Sequence, residues 1–110
     1  MKPPRTYSPY AREAASLLGL RIQIARRERR WTEQELADRA GINRNSLRKI
    51  EKGDMGVGIG LAFEVAVLLG LPLFHEDRSR LTADINLARE HLALLPRQIK
   101  PRKQDVKDDF

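Results

Sequence analysis

The sequence predicts an all-α fold of five helices, because helical spacing, capping residues and helix-ending glycines recur along the chain. Apolar residues fall at helical intervals, and Thr or Asn residues stand where helix N-caps are expected. Glycines follow several of the predicted helices. No stretch alternates polar and apolar residues as a half-buried strand would, and no internal repeat stands out. At 110 residues, the chain has the size of one domain.

The first helix is expected over residues 11–30, where only Gly19 disfavours helix formation. Leu18, Ile22 and Ala25 lie four and three residues apart and form one apolar stripe. Residues 1–10, with three prolines and two tyrosines, predict a flexible N-terminal arm.

The second helix begins with a capping box, in which Thr32 accepts from the Glu35 amide and the Glu35 side chain returns to the Thr32 amide. Trp31 and Leu36 flank this cap as a hydrophobic staple. The helix is short and ends at Gly41, a residue suited to the left-handed conformation that closes helices.

The third and fourth helices follow from the same signals. The third is expected over residues 44–52, between an N-cap at Asn43 and a stop at Gly53. The fourth, residues 60–69, is apolar nearly all round, which predicts burial in the middle of the domain.

The last part of the chain predicts a fifth helix followed by a charged tail. Apolar residues of this helix recur at spacings of four and three, a heptad pattern that fits either the domain's own core or contact with a second chain. These residues are Leu81, Ile85, Ala88, Leu92 and Leu95. The predicted division is an arm over residues 1–10, a helical domain over 11–76, a C-terminal interface helix over 77–95 and a tail over 96–110.

Net charge, cysteine content and the length of apolar runs limit which classes of function fit this sequence. The net charge is +6, and residues 1–52 hold 13 basic and 6 acidic side chains, which favours a polyanionic partner for that half. The absence of cysteine excludes disulfides, thiolate metal sites and cysteine nucleophiles. The longest apolar run covers 10 residues, 65–74, against about 20 for a membrane span. We expect a cytosolic protein without a membrane segment.

Enzymatic signatures are missing from the sequence. His75 and His91 lie 16 residues apart, without a metal-ligand spacing. Gly56, Gly58 and Gly60 follow no strand, so they predict a hinge into helix 4, whose N-terminus could instead approach a DNA phosphate. We expect no catalytic site, no metal and no cofactor.

The third helix carries the functional signal. At about 100° per residue, Leu47, Ile50 and Glu51 share one side, which is expected to face inward. The opposite side is polar, mostly cationic and free of acidic residues; it holds Asn45, Ser46, Arg48, Lys49 and Lys52. Asparagine can pair bidentately with adenine, while Arg and Lys can address guanine edges or phosphates.

Residues 17–74 resemble the Cro/CI-type, or XRE, helix-turn-helix family, with a lambda-repressor-like fold. The matching motifs are residues 18–22, 31–41, 42–46 and 47–53. The resemblance implies that helix 3 is a recognition helix in the major groove of operator DNA, bound by a homodimer. The DNA-binding positions it implies are Arg44, Asn45, Ser46, Arg48 and Lys49, with Thr32 and Gln34 at the start of helix 2.

Two further positions follow from the same resemblance. Arg26 and Glu51 match a partly buried salt bridge that ties helix 1 to helix 3. Many family members carry Gln at the first residue of helix 2, where it meets a phosphate or a base. Here that residue is Glu33, which puts the contact in question and leaves open whether Gln34 replaces it.

Residues 58–65, residues 94–97 and the end of the tail resemble, more specifically, the HipB-type antitoxins. That resemblance implies a bacterial repressor of its own operon that also binds a HipA-type kinase toxin. Partner binding would involve Leu81, Ile85, Leu92 and Phe110. The alternatives are a stand-alone XRE-family or phage-type repressor, and an interaction module that has kept the fold without binding DNA.

Overall fold

The protein is described here by a computed structural model, which covers residues 5–75 and 77–102. Within those ranges it consists of helices, with one isolated β-bridge between Leu73 and His75 and no β-strand. The predicted all-α fold of five helices is confirmed. The helices are α1 (Pro9–Glu28), α2 (Glu33–Ala40), α3 (Arg44–Glu51), α4 (Ile59–Leu68) and α5 (Arg78–Ala93).

The chain divides into two compact units, with the boundary between residues 76 and 77. The first unit contains α1 to α4 and holds the hydrophobic core, to which each of these helices contributes. Its fully buried larger side chains are Ile22, Leu36, Leu47 and Val65. The second unit contains α5, which has no fully buried residue.

Side-chain caps fix where the first three helices begin. Thr32 and Glu35 form the predicted capping box of α2, and the Asn43 side chain accepts from the Ser46 amide at 2.7 Å to cap α3. α1 begins at Pro9, two residues before the predicted start, because Ser8 caps it and proline suits the first helical turn.

The first four helices end with one shared motif. After each helix a residue adopts a positive φ, and the next amide donates to a carbonyl five residues back. The positive-φ residues are Arg30, Gly41, Gly53 and Gly70. Gly41 and Gly53 were predicted as helix stops, and Gly70 directly follows the predicted fourth helix. Arg30, in contrast, lies in a conformation that costs non-glycine residues energy.

Helix α4 is buried on one side only, which corrects the predicted burial all round. Val65 and Ala66 are buried, whereas Ile59 is 68% and Val67 is 58% exposed. The prediction was wrong because apolar composition without periodicity does not specify how much of a helix its neighbours cover.

Candidate nucleic-acid interface

A short turn sets α3 against α2. Gly41 has φ 72°, the Ile42 amide donates to the Ala37 carbonyl at 3.0 Å, and Asn43 then starts α3. Ala37 is fully buried, so the two helices approach closely at a small residue. The turn thereby fixes the direction of α3 relative to the rest of the first unit.

The inward side of α3 is the predicted one. Leu47 is fully buried, and Ile50 and Glu51 are each 4% exposed. The opposite side is exposed except for the half-buried Ser46; it carries Asn45, Arg48, Lys49 and Lys52, with Arg44 at the helix start. A rigid helix therefore presents hydrogen-bonding and cationic side chains to solvent.

A buried ion pair locks the back of α3 to α1. Arg26 donates from Nε and Nη2 to the two carboxylate oxygens of Glu51, at 2.8 and 3.1 Å. A further Arg26 amino group donates to the Trp31 carbonyl at 3.0 Å. The hydrogen bond to Glu51 raises the pKa of Arg26 above its ordinary value, although burial acts in the opposite direction. The salt bridge implied by the resemblance is thus present in the structure.

Gly19 is a determinant of this packing that sequence reasoning did not recognise. A β-carbon at Gly19 would lie 2.6 Å from the carbonyl oxygens of both Ile50 and Glu51. The missing side chain therefore lets α1 lie directly against the end of α3. The signal available in the sequence was a glycine inside an otherwise uninterrupted helix.

Glu33 contacts two of the predicted DNA-binding arginines. Its Oε1 accepts from Arg44 Nη2 at 3.3 Å and from Arg48 Nε at 3.4 Å. Burial alone would raise the pKa of Glu33, but the hydrogen bonds and positive charges of Arg44 and Arg48 lower it below its usual value. An acidic residue at the first position of α2 thus lies beside the cationic side of α3.

The two predicted DNA-binding residues at the start of α2, Thr32 and Gln34, already have hydrogen-bond partners in α2. The Thr32 hydroxyl accepts from the Glu35 amide at 3.0 Å as part of the cap. Gln34 donates from Nε2 to Asp38 Oδ1 at 2.9 Å, one turn further along α2. Both side chains lie at exposed residues, and neither contacts α3 through a described hydrogen bond.

The arginines near the end of α1 serve different purposes. Arg26 is buried in its ion pair. Arg29 donates to the carbonyls of Ala25 and Leu69, at 3.2 and 2.8 Å. The second of these hydrogen bonds satisfies the carbonyl of the residue that caps the C-terminus of α4. Arg27 and Arg30 are exposed and remain the candidates for phosphate attraction from this segment.

The predicted partner-binding residues of α5 are exposed or half-buried. Ile85 and Leu92 are exposed at 44% and 69%, and Leu81 is half-buried. Phe110 lies outside the described residues. Among the residues that the structure does describe, no cluster of His, Asp or Glu side chains is suited to a metal ion. No helix within them has the length and apolarity of a membrane span.

Two short helices joined by a tight turn, the second with an exposed cationic side, have the geometry of a helix-turn-helix DNA-binding domain. Residues 22–75 match a family model described as Helix-turn-helix, which supports the Cro/CI-type (XRE) family and a DNA-binding regulator. Domains of this kind are not typically enzymatic. No significant match was found among curated proteins or among solved structures.

Proposed function

We propose that the protein is a sequence-specific transcriptional repressor, in which α3 enters the major groove of an operator. The observation that carries the proposal is that α3 has two different sides. The back, which faces the core, is apolar and holds the ion-paired Glu51, whereas the front, which faces solvent, is polar and cationic. Asn45 and Lys49 lie at the centre of the front side and are assigned to base contacts. Arg44, Ser46 and Arg48 contact bases or the adjoining backbone, with Thr32 and Gln34 at phosphates.

The test is operator binding by Asn45→Ala and Lys49→Ala, measured by fluorescence anisotropy on DNA upstream of the protein's own gene. Each variant is expected to lose about 1–3 kcal/mol of binding free energy and to keep its fold. The matched controls are Asn86→Ala and Lys100→Ala, which remove the same side chains from the second unit. Wild-type operator affinity in both α3 variants would refute the assignment of α3 to the groove.

We further propose that the repressor is a cytoplasmic homodimer and the antitoxin of a HipA-type kinase. In this class of domain, the twofold symmetry of the operator mirrors the twofold symmetry of a protein dimer, and the two half-sites lie about one helical turn apart. The apolar residues of α5, namely Leu81, Ile85 and Leu92, are not required for the helix-turn-helix and are assigned to contact between chains. Phe110 is assigned to toxin docking on the sequence resemblance alone.

The antitoxin role is tested by co-purification from the native host followed by mass spectrometry. A HipA-like kinase, encoded next to this gene, is the expected partner. Deletion of residues 97–110 is expected to weaken kinase binding and to spare operator binding. Recovery of the protein without a kinase would leave the stand-alone repressor as the function.

A further inference from the structure

The contact of Glu33 with the front of α3 has a consequence for base recognition. Its Oε1 accepts from Arg48 through Nε, at 3.4 Å, and from Arg44 through Nη2, at 3.3 Å. The guanidinium group is planar, so a partner at Nε restricts the direction in which the two terminal amino groups point. In Arg48, both of those groups remain available beyond the carboxylate.

We propose that Glu33 is a specificity-determining residue, whose carboxylate orients Arg48 so that its two terminal amino groups bind O6 and N7 of a guanine. This inference rests on the proposed function, since it requires α3 to lie in the major groove. Guanine is the base that offers two acceptors at the spacing of an arginine fork. Arg44 contacts Glu33 through a terminal amino group, which leaves a less complete fork and suits a phosphate contact.

Electrostatics give Glu33 a second effect on specificity. Its negative charge opposes the approach of phosphates, and it offsets part of the charge of Arg44 and Arg48. Binding to random DNA, which depends on phosphate attraction, is therefore weakened. Binding to the correct site recovers the loss through the guanine contact, so the ratio of specific to non-specific affinity rises.

The two contacts of Glu33 bias the directions of Arg44 and Arg48 rather than fix them in the free protein. Both are long for charged hydrogen bonds, and the Arg48 side chain is 45% exposed. Exposed ion pairs of this kind are weak in water. Their effect grows when DNA excludes water from the interface, because the local dielectric constant falls.

The experiment is selection of bound sites from a random duplex library, followed by affinity measurement on the selected site and on its single-base variants. The proteins are the full-length wild type, Arg48→Ala, Glu33→Ala and Glu33→Gln. Glu64→Ala is the matched control, since it removes an exposed glutamate from α4. Circular dichroism confirms that each variant is folded.

The wild type is expected to select a G·C pair in each half-site. Arg48→Ala and Glu33→Ala are expected to lose preference at that same pair, by at least about fivefold, the lower range for one bidentate contact. Glu33→Gln is expected to lose less than Glu33→Ala, because its amide oxygen still accepts from Arg48, although more weakly than a carboxylate does. Replacing the guanine by 7-deazaguanine, which lacks N7, should weaken the wild type and leave Arg48→Ala unaffected.

The possible failures are distinguishable. If the wild type selects no sequence, the proposed function itself is wrong. If it selects a site and both Glu33 variants keep the full guanine preference, only the role of Glu33 is wrong. If Glu33→Ala and Arg48→Ala change different base pairs, Glu33 contacts a base directly, for example the amino group of a cytosine, and the positioning role is overturned.

Discussion

Single residues determine how closely α1 packs against α3, and Gly19 does so because it has no side chain. Alanine is normally preferred to glycine within a helix by about 1 kcal/mol. At Gly19 the added carbon would meet two backbone carbonyls at 2.6 Å, and backbone atoms cannot move aside as a flexible side chain can. The position therefore trades helix propensity for close packing of two helices.

Gly19→Ala is accordingly expected to lower the free energy of unfolding by about 2 kcal/mol or more, as over-packing of a tight contact does. Gly60→Ala is the control, because a carbon added there meets no atom within 4 Å and φ is helical. That variant is expected to be more stable than wild type by about 0.5–1 kcal/mol. Urea denaturation measures both; equal effects of the two substitutions would contradict the close approach at Gly19.

The buried pair Arg26–Glu51 is expected to behave as a unit. Arg26→Met leaves the Glu51 carboxylate buried without its partner, which costs about 3–5 kcal/mol. The double variant Arg26→Met, Glu51→Leu removes both charges and is expected to be more stable than Arg26→Met alone. Chemical denaturation of the single and double variants measures the coupling, and additive losses would count against it.

Whole elements follow local rules where those rules are strong. The capping box at Thr32, the cap at Asn43 and the glycine stops were predictable, because each depends on residues adjacent in sequence. The extent of α4 burial depends on the placement of other helices and was predicted wrongly. The contact of Glu33 with α3 was missed for the same reason, since it joins residues 11 and 15 positions apart.

The end of α1 offers a test of these helix-ending rules. Arg30 has φ 58° where the other three helices use glycine, a conformation that disfavours side chains. Arg30→Gly is expected to stabilise the first unit by about 0.5–1 kcal/mol, whereas Gly41→Ala, with open space around it, should destabilise by a similar amount. Thermal unfolding monitored by circular dichroism measures both. A loss of stability in Arg30→Gly would show that the arginine side chain contributes more than its backbone costs.

The structural boundary of the chain and its charge boundary fall at different places. The first unit holds the buried core and the cationic front of α3, but it also holds the acidic excess of residues 53–95, which carry 3 basic and 6 acidic side chains, because that excess lies before residue 77. Every described side chain of the core cluster, with the partly buried side chains packed against it, lies between residues 18 and 71. We therefore expect the first unit to fold without the second.

Removing residues 77–110 tests this division. Because the core cluster is retained, the shortened chain is expected to unfold cooperatively, and its α3 remains in place for DNA. If α5 joins two chains, the shortened protein is expected to be monomeric by sedimentation equilibrium. It then binds a twofold operator at least about tenfold more weakly, because the two DNA-binding subunits are no longer linked. In the full chain, Leu92→Asp should have the same effect, whereas Leu87→Asp, exposed but outside the heptad positions, should not. A shortened chain that still dimerises would place the contact between subunits in the first unit, where both α1 (Leu17, Leu20, Ile24) and α4 (Ile59, Leu61, Val67, Leu68) expose apolar side chains.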